Sequence, residues 1–398
     1  MKKFFLGFIL MMSVMSIPFA QAASFKVGDI DWSLAGSLRL DTGWRSTDFG
    51  DKPKTGEAST QQRYFLENPG DSRISTKAQY DKLSGFAELG FKTDNSGNGG
   101  NNDNRVNVRQ AYFTYDFGGG KNLLLGRTYT ILAEDSPVQY MWQDDCLQFF
   151  GDLYAGRGEQ IQYSYAADKM TLKVAIEANK VESNSGGKIF DLDASKYIIR
   201  DITPGLLASF SFSDFGFTVT PSAFIQKYEL KSNASSVKDI DVLSYAGGLD
   251  ASYKTNILAV SGELWYGQNI YFFGLDGRIN SSDIMGKPIK NDKGDDLKNV
   301  KSMGGWLQCA LTIDPFVLRI GGGYQQADTE KTGARDENKI STWGTFINLD
   351  YSIAKGFIVA PEIAYFDYGK DTNKDLFDTN KNKLGSETFV GLHFQYDF

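Results

Sequence analysis

Histidine, cysteine and clustered carboxylates are the side chains from which most protein chemistry is built, and this sequence is sparing with the first two. His393 is its one histidine. A Ser-His-Asp mechanism needs such a base beside an activated serine, and no G-x-S-x-G elbow occurs after residue 22 to serve it. Cys146 and Cys309 are too few, with one histidine, for a transition-metal site. No phosphate-binding or dinucleotide loop follows a strand-like segment, so no cofactor and no enzymatic activity are expected. Acidic residues do cluster: residues 131–156 carry Glu134, Asp135, Asp144, Asp145 and Asp152 among Tyr140, Met141, Trp142, Leu147, Phe149, Phe150, Leu153 and Tyr154. A connector this apolar is poorly solvated in open water. Its aromatic side is expected to pack on a wall and its acidic side to face an aqueous space, an arrangement that steers ions and makes no bonds.

The wall is legible at the C-terminus. Thr388, Val390, Leu392, Phe394, Tyr396 and Phe398 alternate with Phe389, Gly391, His393, Gln395 and Asp397, a strand with one apolar face and one wetter face. Residues 1–22 combine Lys2 and Lys3, an apolar run over 4–17 and the small-x-small site Ala20-Gln21-Ala22, the pattern of a secretory signal peptide with a mature chain from Ala23. No later run of about 18 apolar residues predicts a membrane-spanning helix. The 42 Gly, 29 Phe, 20 Tyr, 6 Trp and 9 Pro in 398 residues suit many strands, tight turns and aromatic girdles. A net charge of −7 without a basic run gives no sign of nucleic-acid binding.

The period-two test finds sixteen strands. Ile30, Trp32, Leu34, Leu38 and Leu40 alternate with Asp31, Ser33, Ser37, Arg39 and Asp41 in the first. Further segments follow at 73–81, 83–92, 105–117, 122–130, 159–165, 170–179, 206–213, 216–229, 242–253, 257–267, 301–313, 316–325, 340–351, 356–366 and 387–398. Short turns after the even strands alternate with long polar connectors (45–72, 93–104, 180–202, 268–300, 326–339 and 367–386) and the apolar 131–156 after the odd ones. These features predict an all-β fold: a transmembrane antiparallel β-barrel of 16 strands over residues 23–398, with its third long loop folded inward. Cys146 falls on that loop and Cys309 on a lipid-facing parity, so both thiols are expected to be free.

Five stretches carry a resemblance: 71–77 (DSRISTK), 108–113 (VRQAYF), 124–129 (LLGRTY), 149–157 (FFGDLYAGR) and 162–163 (QY). Together they resemble strand two through strand six of the trimeric, sixteen-stranded general porins of Gram-negative outer membranes. In that family the third loop narrows the pore to an eyelet, with loop carboxylates facing arginines on the wall. The resemblance implies that Arg73, Arg127 and Arg157 form the basic wall and that Asp152, with Glu134, Asp135, Asp144 and Asp145, forms the acidic side. Opposed charges across a narrow aqueous gap orient dipolar solutes. Arg39 and Arg109 are further lumen-facing candidates. Read singly, each of these arginines serves equally as a solvated strand residue paired with a neighbour. The family's Pro-Glu-Phe-Gly-Gly-Asp loop tip is replaced by Phe149-Phe150-Gly151-Asp152, which leaves eyelet size and ion preference open.

The expected function is a water-filled outer-membrane channel for passive diffusion of small hydrophilic solutes and ions. Two other readings stay open: a porin selective for a sugar, an organic acid or an anion, and a structural barrel acting as sheath or anchor for a partner protein. Outer-membrane lipid and lipopolysaccharide, a homotrimer, and recognition of Phe398 by the barrel-assembly machinery are the partners implied. Charge reversal at Arg127 or Asp152 is expected to shift ion preference.

Overall fold

The computed structural model describes residues 23–50, 59–69, 72–92, 105–141, 146–154, 156–178, 188–189, 192–193, 197–201, 203–232, 238–273, 275, 288–290, 296–329, 339–369 and 383–398. The signal-peptide segment, the run 95–104, and Asp144 and Asp145 lie outside these residues.

Sixteen antiparallel strands close on themselves. They are β1 (Ile30–Asp48), β2 (Thr60–Glu67 continued by Ser72–Tyr80), β3 (Leu83–Lys92), β4 (Arg105–Gly118), β5 (Lys121–Tyr129), β6 (Arg157–Ala167), β7 (Met170–Glu177) and β8 (Tyr197–Asp201 continued by Gly205–Asp214). The second half comprises β9 (Phe217–Ser232), β10 (Ile240–Lys254), β11 (Leu258–Gln268), β12 (Val300–Ile313), β13 (Phe316–Thr329), β14 (Lys339–Ala354), β15 (Phe357–Asp367) and β16 (Ser386–Asp397). Each strand pairs with its sequence neighbour, and β16 pairs with β1 from Ser37↔Asp397 to Asp48↔Ser386. A short N-terminal strand, Ala23–Val27, pairs with Ile30–Leu34 and lies end to end with β16 along the same edge of β1. Gly36 joins the two pieces by exchanging backbone hydrogen bonds of 2.8 and 3.1 Å with Phe398. Pairing of β16 with β1 closes the cylinder, as hydrocarbon requires of a spanning sheet, while the pieces Ala23–Val27, Thr60–Glu67 and Tyr197–Asp201 pair along one edge each.

Alternation sets the two faces. Leu34, Leu38, Leu40 and Trp44 of β1 are exposed, while Ala35, Ser37 and Asp41 between them are buried. The same holds around the barrel, with exposed Leu249, Leu264, Leu307, Ile320, Ile347, Ile363 and Leu392 against buried Asp250, Glu263, Gln308, Asn348, Glu362 and His393. An apolar exterior over a polar interior is the inverse of a soluble protein and the expected face of a barrel in lipid. Trp44, Tyr80, Tyr115, Tyr253, Tyr351 and Tyr396 stand exposed near strand ends, as girdle residues do.

Three expected connectors are partly strand, 45–72, 180–202 and 268–300, the last through Ile289–Lys290 paired with Leu297–Lys298. The connector at 45–72 loses its first residues to β1 and contains Thr60–Glu67, whose Tyr64 stacks edge-on against Trp44 at 5.7 Å. The aromatic and aliphatic pair Tyr64 and Leu66 on one parity supplies the outward face that makes this half of β2 a strand. Likewise Tyr197–Asp201 pairs with Tyr228–Ser232 of β9, and Lys188–Ile189 with Leu192–Asp193.

The buried apolar side chains lie inside the barrel. Ile131, Leu132 and Leu153 pack with Leu207, Phe224, Trp265, Ile270 and Phe273. Tyr140, Met141, Leu147 and Phe150 pack with Trp306, Phe346, Phe366, Tyr368 and Phe389. Replacing an outward leucine by arginine, as in Leu38→Arg or Leu392→Arg, should cost about 2–4 kcal/mol near mid-membrane, read as a loss of folded, heat-modifiable barrel on lipid-vesicle titration with urea; an unchanged midpoint would place these residues away from hydrocarbon.

Candidate functional site

Residues 131–156 enter the barrel because the strands facing them offer acceptors and flat ground. The segment carries several backbone N–H groups that no strand pairs, and buried N–H groups need acceptors. Lumenal carboxylates provide them. Glu362 of β15 accepts the N–H of Tyr140 at 2.9 Å and of Met141 at 2.8 Å, together with the Gln139 side-chain amide at 3.0 Å. Glu263 of β11 accepts the Leu153 N–H at 3.0 Å, and Asp250 of β10 the Glu134 N–H at 3.3 Å. Gln308 of β12 accepts the Val138 N–H at 2.7 Å, and Asn348 of β14 donates to the Val138 carbonyl at 2.9 Å. From Trp265 the indole N–H reaches the Gly151 carbonyl at 2.7 Å. A β-carbon on Gly323 would stand 2.4 Å from the Phe150 carbonyl oxygen, so only glycine lets the segment lie this close to β13. Gly151 itself takes φ +130°, a conformation that favours glycine.

Tyr140 ties this segment to the closing strand. Its ring stacks on His393 at 4.1 Å, its hydroxyl donates to Asp350 at 3.0 Å, and Asp350 pairs with Arg319. Beneath the ring, His393 Nδ1 lies 2.6 Å from Asp41 Oδ1, with both side chains almost wholly buried. The expected lumenal position of His393 is therefore observed, with an aromatic lid and an acidic partner.

The arginines divide. Arg73 of β2 and Arg109 of β4 face the lumen and flank Glu88 of β3, at 3.5 and 2.9 Å. Arg109 Nη2 donates to the Tyr129 hydroxyl at 3.2 Å, and Arg157 Nη2 donates to the same hydroxyl at 3.1 Å with its guanidinium 4.6 Å over the ring. The three arginines are linked where β5 ends and the inward segment begins, but Arg157 shares the parity of Glu159 and Ile161, so Arg73 and Arg109 are the two of them on a lumenal parity. Arg39 is lumenal on β1, its Nε donating to Ser37 Oγ at 3.3 Å.

Arg127 is not with them. It shares its parity with Leu123 and Leu125, opposite Ile161, and pairs at 2.9 Å with Glu159, whose side chain is 65% exposed. That face is the outward one, so Arg127 does not line the lumen. The run Leu123-Leu124-Leu125 hides the parity in the sequence, because apolar residues occupy both faces there.

The carboxylates divide too. Glu134 faces the opposite wall, where Lys173 of β7 meets it at 2.6 Å. Asp135 is half-buried, and its carboxyl is pushed up first by burial and then by Glu134, against the pull of Lys254. Asp152 is fully buried beneath the segment, where Ser136 Oγ donates to both its oxygens at 3.2 Å. Burial drives its carboxyl well above the ordinary carboxylate range, Ser136 works against that shift and Asp250 adds to it. The expected water-facing acidic side is therefore reduced, among the described residues, to Glu134 and Asp135. Sequence reasoning missed Asp250, Glu263 and Glu362 as the seats of the segment. Each is a carboxylate on the lumenal parity flanked by apolar residues, a signal visible in Leu249-Asp250-Ala251, Glu263-Leu264 and Glu362-Ile363. Neither cysteine is in a disulfide; Cys146 is buried in the segment and Cys309 lies on the outward parity with Leu307 and Leu311. No metal-site geometry occurs among the described residues.

A closed sixteen-strand barrel with an inward segment seated on one wall is the fold of outer-membrane channels. No protein-family model and no curated protein matches this sequence. Among solved structures, the chain is similar to the outer membrane channel DcaP of Acinetobacter baumannii, with TM-score 0.64 and 18% identity over 94% of this chain and 100% of that one. It is similar also to the anion-selective porin from Comamonas acidovorans, with TM-score 0.56 and 13% identity over 93% and 100%. The trimer form of in-vitro folded OmpT of Vibrio cholerae aligns with TM-score 0.54 and 14% identity over 93% and 99%.

Two outcomes test the seating. Glu362→Ala orphans the N–H groups of Tyr140 and Met141, at about 1–3 kcal/mol each, and should open residues 131–156 to limited proteolysis while the strands stay resistant; equal resistance would deny Glu362 that role. The folded chain holds a proton on Asp152 that the unfolded chain releases, so stability falls as pH rises from the ordinary carboxylate range toward the raised value. Asp152→Asn should flatten that slope in thermal melts in detergent, and parallel slopes for the two proteins would remove the effect.

Proposed function

We propose that this chain is an outer-membrane porin, a passive channel for small hydrophilic solutes and ions, working as a homotrimer. One observation carries the reading: the inward segment covers only one side of the lumen. Its contacts run from Lys173 and Ala175 of β7 round to β16, while the lumenal Lys77 of β2 and Gln162 and Ser164 of β6 keep contact with solvent. A barrel serving as a sheath would need that space for its partner; a diffusion channel needs it wet. The likeness to channels and porins, one of them in a trimer form, supports the same reading. No catalytic role attaches to His393, whose imidazole is enclosed by Asp41 and Tyr140. Outer-membrane lipid and lipopolysaccharide then contact the apolar exterior, and the barrel-assembly machinery receives the strand that ends at Phe398.

Insertion of purified protein into planar bilayers should give ohmic steps, in groups of three if trimers insert together. Current that saturates with one solute would favour a substrate-selective porin, and a silent membrane would favour the sheath.

A further inference from the structure

The lumenal carboxylates of one half of the wall are covered by the inward segment, and Arg319 of β13, a cation on that half, is paired with Asp350. The lumenal carboxylates of β10, β11, β14 and β15 are Asp250, Glu263, Asp350 and Glu362. Every one accepts a hydrogen bond from residues 131–156: from the Glu134 N–H, the Leu153 N–H, the Tyr140 hydroxyl, and the Tyr140 and Met141 N–H groups respectively. All four are at most 5% exposed. The acidic half of the wall is therefore used to hold the segment and is withdrawn from the water.

The opposite half is richer in cations. Arg39, Lys77 and Lys173 project from β1, β2 and β7 toward the lumen with part of their surface open, and the buried Arg73 and Arg109 of β2 and β4 set two positive charges against the one carboxylate of Glu88. The carboxylates on this side are deeply buried or shared: Glu88 lies between two guanidiniums, Asp41 faces His393, and Glu177 is 1% exposed beside Gly158. Glu134 is the acidic group of the segment that crosses to this side, and Lys173 meets it. Fixed positive charge at the wall of a narrow aqueous path, with low-dielectric protein behind it, raises the local concentration of anions and lowers that of cations.

We infer that the channel is anion-selective, and that the preference arises because the inward segment masks the acidic half of the lumen. Small carboxylates, phosphate and halides share the chemistry that this wall favours. The inference rests on the reading of the chain as a channel.

The test is the reversal potential of the wild-type channel in a steep potassium chloride gradient, with two variants at the part-buried ion pair of Glu134 and Lys173. The wild type should pass chloride severalfold more readily than potassium. Glu134→Gln leaves Lys173 without its counter-charge and should strengthen that preference; Lys173→Gln leaves Glu134 uncompensated and should weaken it. Steps of normal conductance with a cation preference, or reversal potentials identical in all three proteins, would overturn the inference and leave the channel reading standing. A silent wild-type membrane would overturn both. Arg127→Gln, on the outward face, should leave the reversal potential where it is, and a shift equal to that of Lys173→Gln would contradict the lumenal origin of the preference.

Discussion

Buried carboxylates that accept backbone N–H groups are what the interior of this barrel depends on. An ionised side chain inside a protein is costly unless hydrogen bonds replace its water, and an unpaired N–H is costly in the same place. Each cures the other in the contact between Glu362 and the Tyr140 and Met141 amides, and again between Glu263 and Leu153. Around these points the aromatic side chains close into two dry clusters. The lumen is thereby split into a covered, largely apolar side and an open, polar side without any break in the strands.

Much of the cylinder was legible in the sequence because its physics is one-dimensional. Leu38 and Leu40 against Arg39 and Asp41, or Leu392 and Phe394 against His393, state which side of a strand meets lipid before any partner is known. Sixteen repetitions, short turns on one side and long connectors on the other, then specify a closed antiparallel sheet. The pattern fades where apolar residues fill both faces. Leu123-Leu124-Leu125 conceals that Arg127 points outward to Glu159, and Thr60–Glu67 is too polar on its lumenal side to stand out from the connector around it.

The inward segment was legible as a kind and obscure in its details. Its density of aromatic residues beside acids predicts a loop that lies against a wall, and Tyr140, Met141, Leu147 and Phe150 do so. What a single sequence does not reveal is which acids are spent on holding it. Asp152 reads as a water-facing charge and is instead enclosed with Ser136, whereas Glu134, two residues from that serine, reaches an opposing lysine. Pairings between positions a hundred or more residues apart, such as Gln139 with Glu362, depend on barrel closure and have no local signature.

The central claim is that residues 131–156 are fixed on one wall of the lumen by buried acceptors. Hydrogen–deuterium exchange of the folded protein in detergent, resolved to peptides spanning the Tyr140, Met141 and Leu153 amides, tests it most directly. These amides should be protected to the level of the barrel strands. Exchange there as fast as in an exposed connector would contradict the account.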